Sequence, residues 1–376
     1  MNKIFLSSPH MEKNGILYAT NAYKKNHVFP LGEYLNKFEQ IICDYTKSKY
    51  CLAVSSGTAA IHLALIALNV KENDEVICSS FTFSASANPI LYLKAKPVFV
   101  DSEKSTWNMS PELLEFSIND RIKKTGKKPK AIILVHLYGM PSKIDEIITI
   151  ASKFQIPVIE DAAEALGSTY RGKQVGTFGD IGIFSFNGNK IITTSGGGAL
   201  ISKKKQLIKD SFKRATQSRE PVRHYEHNEI GYNYRLSNIS AAIGCGQFEV
   251  LEKHVKFRRD VYNRYAKNFK LIKGLSLFDE PSSIFKSNRW LSTFIFKGIP
   301  INDLIIYLEK YEIESRNLWK PLHLQPVFSN FPKYINGDSE NLFDSGICLP
   351  SSSNLRIDEQ NFVIEKVLKF IHERVY

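Results

Sequence analysis

The sequence has few cysteines, and their arrangement suggests neither a disulfide framework nor a metal site. The five cysteines are scattered and odd in number, and no two of them form a C-x-x-C pair. This usage is typical of reduced thiols in the cytoplasm. The nine histidines include no H-E-x-x-H arrangement, a common zinc-binding motif. We therefore expect a cytoplasmic protein without a structural metal.

The sequence also lacks long hydrophobic runs. The most apolar window, residues 51–70, is interrupted by Ser55, Ser56 and His62, whereas a membrane-spanning helix needs about 20 mainly apolar residues. The apolar run near the N-terminus covers only residues 4–6, which is too short for the hydrophobic part of a signal peptide. We expect neither membrane insertion nor secretion.

Acidic residues are outnumbered by basic ones, 38 against 50, which gives a formal net charge of +12. The densest basic runs, residues 121–130 and 203–205, lack the interleaved aromatic residues that stack on bases, so we do not expect nucleic-acid binding. We interpret most of the excess as solvated surface. A smaller part of it suits an anionic ligand such as a nucleotide diphosphate.

Hydrophobic periodicity predicts an α/β protein with a mostly parallel sheet. The predicted strands are residues 50–54, 75–78, 97–100, 131–135, 157–159, 181–184 and 199–201. The predicted helices between them are residues 58–68, 84–93, 111–122 and 143–154, with further helices around 235–268, 302–311 and 359–374. We predict a large domain over residues 1–250 and a smaller C-terminal α+β domain over residues 251–376.

A glycine-containing turn follows the first predicted strand, at Ser55-Ser56-Gly57-Thr58. Open parallel sheets bind ligands beyond the carboxyl ends of their strands, so this turn is a candidate site. A turn that opens a helix leaves unpaired backbone N–H groups, which bind phosphate. By itself, the same segment is equally compatible with an ordinary helix cap by Ser56 or Thr58.

Two ionisable side chains follow later strands of the predicted sheet. Asp161 comes after residues 157–159, where a buried carboxylate needs a partner such as a protonated pyridine nitrogen, although it could instead cap the next helix. Lys190 lies among glycines and small polar residues beyond residues 181–184. A desolvated lysine loses its proton more easily, as Schiff-base chemistry requires, but most single lysines lie at the surface.

Taken together, these motifs resemble the sugar aminotransferases, which are fold-type-I pyridoxal-phosphate enzymes that act on nucleotide-linked keto-sugars. The resemblance covers nearly the whole chain. Its most specific segments are Ser56-Gly57-Thr58, Glu160-Asp161-Ala162-Ala163, Phe184-Ser185-Phe186 with Lys190, and Gly231-Tyr232-Asn233-Tyr234-Arg235-Leu236. The resemblance therefore implies a pyridoxal 5'-phosphate-binding large domain and an obligate homodimer with shared active sites.

The resemblance also implies individual roles. Lys190 would hold the cofactor through a Schiff base, and Asp161 would pair with its pyridine nitrogen. The other implied cofactor contacts are Ser56, Gly57, Thr58, Phe83, Glu164, Ser185 and, from a neighbouring subunit, Asn233. Phe83 would stack on the cofactor, although core packing is the alternative. Glu164 is a departure, because many relatives have glutamine there to contact the cofactor's 3-oxygen.

A second departure is the segment 194–198, which has no glutamate among its glycines and resembles the branch that makes diamino-trideoxy sugars. Residues 315–328 resemble the matching part of C4-aminotransferases for UDP-2-acetamido-4-keto-2,4,6-trideoxy-hexoses. L-glutamate would be the amino donor, and the product would serve bacterial surface glycans or protein glycosylation. The implied substrate contacts are Arg235, His323, Arg316 and Trp319, each of which could instead be structural.

Several alternatives stay open at this point. The acceptor could be a dTDP-4-keto-6-deoxyhexose, and amination could take place at C3. A dehydratase of the same fold has histidine in place of the lysine, so Lys190 argues against that class. A non-catalytic binding or regulatory protein would be expected to lose the lysine or the aspartate. A nucleotide-binding oxidoreductase is disfavoured because no G-x-G-x-x-G follows the first predicted strand.

Overall fold

The structure is a computed structural model that describes residues 3–375. The α-helices in this range are α1 Lys13–Lys24, α2 Glu33–Thr46, α3 Gly57–Ala67, α4 Asn88–Tyr92, α5 Pro111–Thr125, α6 Ile144–Phe154, α7 Lys205–Ala215, α8 Asn238–Phe248, α9 Leu251–Phe269, α10 Ile301–Glu309, α11 Asp338–Ser345 and α12 Ile357–Val375. The strands are β1 Tyr50–Val54, β2 Glu75–Ser79, β3 Lys96–Val100, β4 Ala131–Val135, β5 Val158–Asp161, β6 Thr169–Tyr170, β7 Lys173–Gln174, β8 Ile181–Ser185, β9 Gly198–Ser202, β10 Leu275–Leu277, β11 Phe285–Lys286, β12 Ser292–Phe296, β13 Arg316–Asn317, β14 Lys333–Tyr334 and β15 Gly346–Leu349.

An eight-stranded sheet forms the centre of the protein, in the order β1-β9-β8-β5-β4-β2-β3-β14. In the series β8-β5-β4-β2-β3-β14, each strand is parallel to the next one. Strand β9 is antiparallel to both β1 and β8. Every residue of β4 is buried, as expected for a strand that is covered by helices on both faces. The predicted mostly parallel α/β sheet is confirmed.

One predicted helix is interrupted in the structure. The segment predicted as a helix over residues 84–93 forms a short 3-10 turn, Ser84–Ser86, followed by the five-residue helix α4. Pro89 lies in the first turn of α4, where its missing N–H is tolerated. Inside a continuous helix, the same proline would remove a hydrogen bond and clash with the preceding turn, which explains the break.

The C-terminal part builds a second, antiparallel sheet in the order β10-β12-β15-β13. Its core contains aromatic residues of α9 and β12 and aliphatic residues of α10 and α12. Ile4 also belongs to this core and forms an isolated parallel bridge with Ile313. Ile4 therefore packs with the C-terminal sheet rather than with the larger one.

The chain crosses between the two sheets more than once. Strand β14 lies well after residue 250, yet it pairs in parallel with β3 at the edge of the large sheet. The helices α1 and α2, the helix α7 and the small sheet β11-β6-β7 were not predicted from the pattern of the sequence. The domain boundary near residue 250 stays a prediction.

No helix within residues 3–375 combines the length and the apolar character that are needed to cross a membrane. Each of the five cysteines is a free thiol.

Candidate active site

A cavity of about 350 Å³ opens at the carboxyl ends of β1, β5 and β8. This is the edge at which parallel sheets bind ligands. Nine of the residues predicted as site residues line it: Ser56, Gly57, Thr58, Phe83, Asp161, Glu164, Ser185, Lys190 and Trp319. The structure thus brings together residues that lie up to 263 positions apart (319 − 56) in the chain.

The beginning of helix α3 forms one wall of this cavity. Ser56 caps the helix by accepting a hydrogen bond from the Ala59 N–H at 3.0 Å. The N–H groups of Gly57 and Thr58 have no hydrogen-bond partner among residues 3–375. A Cβ atom on Gly57 would lie 3.2 Å from the Cβ of Ser185, so glycine lets this turn lie close to β8. Two free N–H groups at the positive end of a helix dipole suit an anion.

Asp161 is the last residue of β5 and is buried at the floor of the cavity. Its Oδ2 accepts a hydrogen bond from the Ser86 hydroxyl at 2.7 Å, and its Oδ1 accepts one from the Ala163 N–H at 3.2 Å. The Ser86 hydroxyl is also 3.0 Å from that of Thr82. A carboxylate can accept about four hydrogen bonds, so Asp161 retains capacity for a cationic partner.

Lys190 lies in the turn after β8 and is largely buried, with 14% of its side chain exposed. Its Nζ is 3.7 Å from Oε1 of Glu164 and 3.9 Å from the centre of the Trp290 ring. Burial lowers the pKa of Lys190, and the nearby carboxylates of Glu164 and Asp161 partly oppose this effect. A larger fraction of this amine is therefore neutral than at a surface lysine.

Glu164 is buried beside Lys190, and its Oε2 accepts a hydrogen bond from the Tyr138 N–H at 2.7 Å. Burial raises the pKa of this carboxyl group, against the opposing effect of the Lys190 charge. Tyr138 adopts a left-handed backbone conformation with φ of 51°. Its hydroxyl accepts a hydrogen bond from the backbone N–H of Trp319 at 2.8 Å. Tyr138 thus connects the Glu164 carboxylate with the opposite wall of the cavity.

Aromatic side chains line the mouth of the cavity. The Phe83 side chain is 52% exposed, and its ring centre is 5.3 Å from that of Trp319. The indole nitrogen of Trp319 is buried and has no hydrogen-bond partner in the described part of the chain. Both rings also line an adjacent groove of about 460 Å³. An exposed ring beside an unsatisfied donor suits a bound ligand.

Two functional contacts were missed by the sequence analysis. Trp290, which comes from the segment before β12, contacts Lys190 from the side of the smaller sheet. Ser86 holds Asp161 and belongs to the turn that was predicted as helix. Trp290 belongs to the part of the chain that builds the smaller sheet, and Ser86 lies several residues beyond the end of β2, so neither is next to a strand end of the large sheet.

Arg235 and His323 were predicted as substrate contacts, but neither lines the cavity. The Arg235 guanidinium pairs with the partly buried Glu39 carboxylate and donates a hydrogen bond to the Ala53 carbonyl at 3.0 Å. His323 is buried between the Ser80 hydroxyl, 2.6 Å from its Nδ1, and Glu340, 2.9 Å from its Nε2. Both side chains therefore have partners within their own chain, and their roles as substrate contacts stay predictions.

The other two predicted residues lie outside the cavity of their own chain. Arg316 is exposed, lines the adjacent groove and pairs with Glu314 at 2.9 Å. Asn233 is exposed and forms an isolated bridge with Thr216.

A comparison with protein families identifies the chain. The model of the DegT/DnrJ/EryC1/StrS aminotransferase family matches residues 9–368. The chain belongs to this family. It is a sugar aminotransferase that depends on pyridoxal phosphate. The resemblance seen in the sequence, the fold that it implies and the cofactor are thereby confirmed.

Individual relatives agree with this assignment along the whole length of the aminotransferase. It is 50% identical to EpsN of Bacillus subtilis over 375 residues, which are 98% of this chain and 96% of that protein. It is 37% identical to the GDP-perosamine synthase of Escherichia coli O157:H7, with 95% of each chain covered. It is 28% identical to the UDP-4-amino-4,6-dideoxy-N-acetyl-beta-L-altrosamine transaminase of Campylobacter jejuni, with 98% of each chain covered.

Solved structures show the same fold. The aminotransferase superimposes on the PMP form of Spr1654 from Streptococcus pneumoniae with a TM-score of 0.91 and 25% identity, covering 99% of this chain and 98% of that one. The PLP form of Spr1654 gives a TM-score of 0.90 at 25% identity, with 99% of each chain covered.

The contact between Glu164 and Lys190 generates a testable prediction for the cofactor-free protein. The Glu164→Gln variant removes the largest influence that raises the pKa of Lys190, so this pKa should fall further. The midpoint of the labelling rate of Lys190 by an amine-reactive reagent, followed against pH by peptide mass spectrometry, measures the shift. Glu115→Gln, which removes a surface partner of Lys153, is the control. A midpoint that stays constant or rises in Glu164→Gln would show that the Glu164 charge does not raise the pKa of Lys190.

Proposed function

We propose that this aminotransferase transfers the amino group of L-glutamate to C4 of a nucleotide-linked 4-keto-6-deoxy sugar. The preferred acceptor is UDP-2-acetamido-2,6-dideoxy-4-keto-hexose. The observation that carries the proposal is the buried Lys190 amine, which shares one cavity with Asp161 and the free N–H groups of Gly57 and Thr58. The relative from Campylobacter jejuni, named for a UDP-linked 4-amino sugar with an N-acetyl group, supports the choice of acceptor.

The residues of the cavity fit pyridoxal 5'-phosphate. Gly57 and Thr58 would bind its phosphate through backbone N–H groups, with the hydroxyls of Ser56 and Ser185 nearby. Asp161 would accept a charge-assisted hydrogen bond from the ring nitrogen. The exposed ring of Phe83 offers an apolar face for the cofactor.

Glu164 would replace the glutamine that many relatives use toward the 3-oxygen of the cofactor. A glutamate can donate a hydrogen bond only when it is protonated. Burial raises the pKa of Glu164, which favours that protonated form. We therefore propose that Glu164 acts as a neutral donor once the cofactor is bound.

When bound, the cofactor supplies an aldehyde for the amino group and an electron-withdrawing ring. The chain supplies the base: Lys190 Nζ takes the α-proton of the amino donor and, in the second half of the reaction, delivers a proton to the sugar carbon that receives the amino group. The lowered pKa of Lys190 keeps a larger neutral fraction available for this task. Trp290 and Glu164 hold the amine inside the cavity.

The groove next to the cavity is the proposed site for the nucleotide part of the acceptor. It shares Phe83 and Trp319 with the cavity and continues past the cationic side chains of Arg316 and Lys320. Cations suit a diphosphate and aromatic rings suit a base. Arg316 and Trp319 therefore remain proposed substrate contacts.

A second candidate acceptor is a GDP-linked 4-keto-6-deoxy sugar, because the GDP-perosamine synthase is the more similar of the two relatives named for a sugar. The two acceptors differ in their base and in the N-acetyl group, and the described residues of the groove include cations that would accept either diphosphate.

The amino-donor step predicts a spectroscopic result. Purified protein that is reconstituted with pyridoxal phosphate should show an absorption band of the lysine-bound cofactor, and L-glutamate should convert it to the pyridoxamine form. Lys190→Ala should lose both the band and turnover, since no amine remains to hold the cofactor or move the proton. The measurement is an absorption titration with glutamate. Normal turnover by Lys190→Ala would overturn the assignment.

The acceptor proposal predicts a substrate preference. A panel of UDP-, GDP- and dTDP-linked 4-keto-6-deoxy sugars, together with a 3-keto sugar, should give the highest kcat/KM with the UDP-linked N-acetyl compound. Arg316→Gln should raise KM more than it changes kcat, because its proposed contact is with the diphosphate. Product analysis by mass spectrometry and NMR identifies the aminated carbon. A preference for the GDP-linked sugar would favour the second candidate.

We also propose a homodimer in which Asn233 completes the phosphate site of the partner subunit. Large apolar side chains, including Phe29, Leu31 and Ile230, are 48%, 66% and 80% exposed in the single chain. The Phe29 carbonyl accepts a hydrogen bond from the Asn238 N–H, which places this apolar surface near the segment that contains Asn233. An exposed apolar surface of this kind is typical of an interface.

The shared site predicts complementation between two inactive variants. Asn233→Asp places a negative charge at the proposed phosphate contact, and Lys190→Ala removes the base. Mixing the two variants should restore about a quarter of wild-type activity, since half of the dimers are mixed and one of their two sites is intact. Each variant alone is the control, and size-exclusion chromatography checks subunit exchange. Exchange without recovered activity would show that Asn233 does not act across the interface.

A further inference from the structure

A cluster of side chains that could bind a metal ion lies beside the Lys190 turn, and none of its members lines the cavity. It consists of His10 and Glu12, which precede α1, and His254 of α9. One ligand atom from each residue lies within 4.8 Å of the others. The Nε2 atoms of His10 and His254 are 3.9 and 4.0 Å from the same carboxylate oxygen, Oε1 of Glu12.

His254 presents an unsatisfied acceptor to this cluster. Its Nδ1 is 3.3 Å from the Ile191 carbonyl oxygen, which can only accept a hydrogen bond, so Nδ1 carries the proton. The Nε2 lone pair is then free, and this atom is buried without a hydrogen-bond partner in the part of the chain that the structure describes. A buried nitrogen lone pair without a protein partner can be satisfied by an ion or a water molecule.

His10 completes the arrangement from the N-terminal segment. Its Nδ1 is 3.0 Å from the Ser353 hydroxyl, and its ring stacks on that of His254 with centres 4.6 Å apart and an angle of 15°. Each imidazole thus has its Nδ1 engaged by an oxygen and its Nε2 closest to the same carboxylate. This is the usual arrangement of metal-binding histidines, in which the second ring nitrogen is held by a hydrogen bond.

We propose that His10, Glu12 and His254 form a binding site for a divalent transition-metal ion, with zinc as the best match. Two imidazole nitrogens, one carboxylate oxygen and an open fourth position are a known zinc ligand set. Tetrahedral ligands lie about 3.3 Å apart, so each gap to Glu12 needs to shorten by roughly 0.6 Å. The two stacked rings must also turn relative to each other, so that both Nε2 lone pairs point at the ion, and the partly exposed His10 is the ring that can turn. His10 and Glu12 are 23% and 27% exposed, which gives an ion access from solvent.

Lys253 competes for the same carboxylate. Its Nζ is 3.5 Å from Oε1 of Glu12, and 55% of its side chain is exposed, so it can turn into solvent when an ion binds. A metal ion would join the N-terminal segment to α9. Through the hydrogen bond of His254 it would also brace Ile191, the residue next to Lys190.

The test uses the full chain with its cofactor, freed of metal by a chelator and then dialysed. Titration with Co²⁺, followed by visible absorption and competed with Zn²⁺, should show one ion per chain with nitrogen and oxygen ligands. Glu12→Gln and His254→Gln should each weaken binding by at least about tenfold. Lys253→Gln should tighten it by about two- to fivefold, the size of a surface charge interaction.

Two controls separate this site from other metal-binding groups. His62 is also buried with an unsatisfied Nε2, but no charged group contributes to its pKa, so His62→Gln should bind the ion normally. Lys190→Ala, compared with cofactor-free wild-type protein, should also bind it normally, which makes the outcome independent of the proposed aminotransferase mechanism. Circular dichroism checks that each variant is folded. If the buried substitution His254→Gln prevents folding, Glu12→Gln still tests the site, because the Glu12 side chain is partly exposed and its replacement disturbs the core less. The absence of stoichiometric binding, or equal binding by Glu12→Gln, would overturn the proposal.

Discussion

The turn that carries Lys190 depends on polar contacts made to its backbone from behind. The carbonyl of Asn189 accepts hydrogen bonds from the Trp290 indole and the Ser7 hydroxyl, both at 2.7 Å. Arg258 is buried and donates to Ser7 and to the Trp290 carbonyl, so its guanidinium joins both groups. Burial lowers the pKa of Arg258 to about 9. Its charge also disfavours the protonated form of Lys190, so the same contacts fix the position of the amine and favour its neutral form.

Two glycines in β8 and β9 permit close backbone contacts near this turn. A Cβ atom on Gly182 of β8 would clash with the carbonyl of Gly176, and one on Gly198 of β9 would clash with the turn at Ser56 and Gly57. Glycine at position 198 lets the start of β9 lie against the turn that opens α3, and glycine at position 182 lets β8 lie against the segment that contains Gly176. Gly57 of the α3 turn and Lys190 of the turn after β8 line the same cavity.

Local sequence signals predicted the large sheet and the residues at its carboxyl edge. Strands β1 and β4 have the predicted bounds, and the other five predicted strands differ by one or two residues at an end. Asp161, Ser185 and Lys190 line the cavity because each lies at or just beyond the end of a strand. Arg235 and His323 were assigned from the resemblance. In the structure Arg235 pairs with Glu39, and His323 lies within hydrogen-bond distance of Ser80. Sequence periodicity could not predict these contacts, because the partners come from distant segments of the chain.

The sequence by itself determined the class of fold, the family and the lysine and aspartate of the cavity, because strand periodicity and strand ends are local properties. Tertiary structure alone decided that Trp290 contacts Lys190, that Ser86 holds Asp161, and that His10 lies against His254. No spaced sequence motif predicts the cluster of His10, Glu12 and His254, since its two histidines are 244 positions apart (254 − 10). Contacts of this kind arise only when burial brings distant segments together, and no local pattern records which segments will meet.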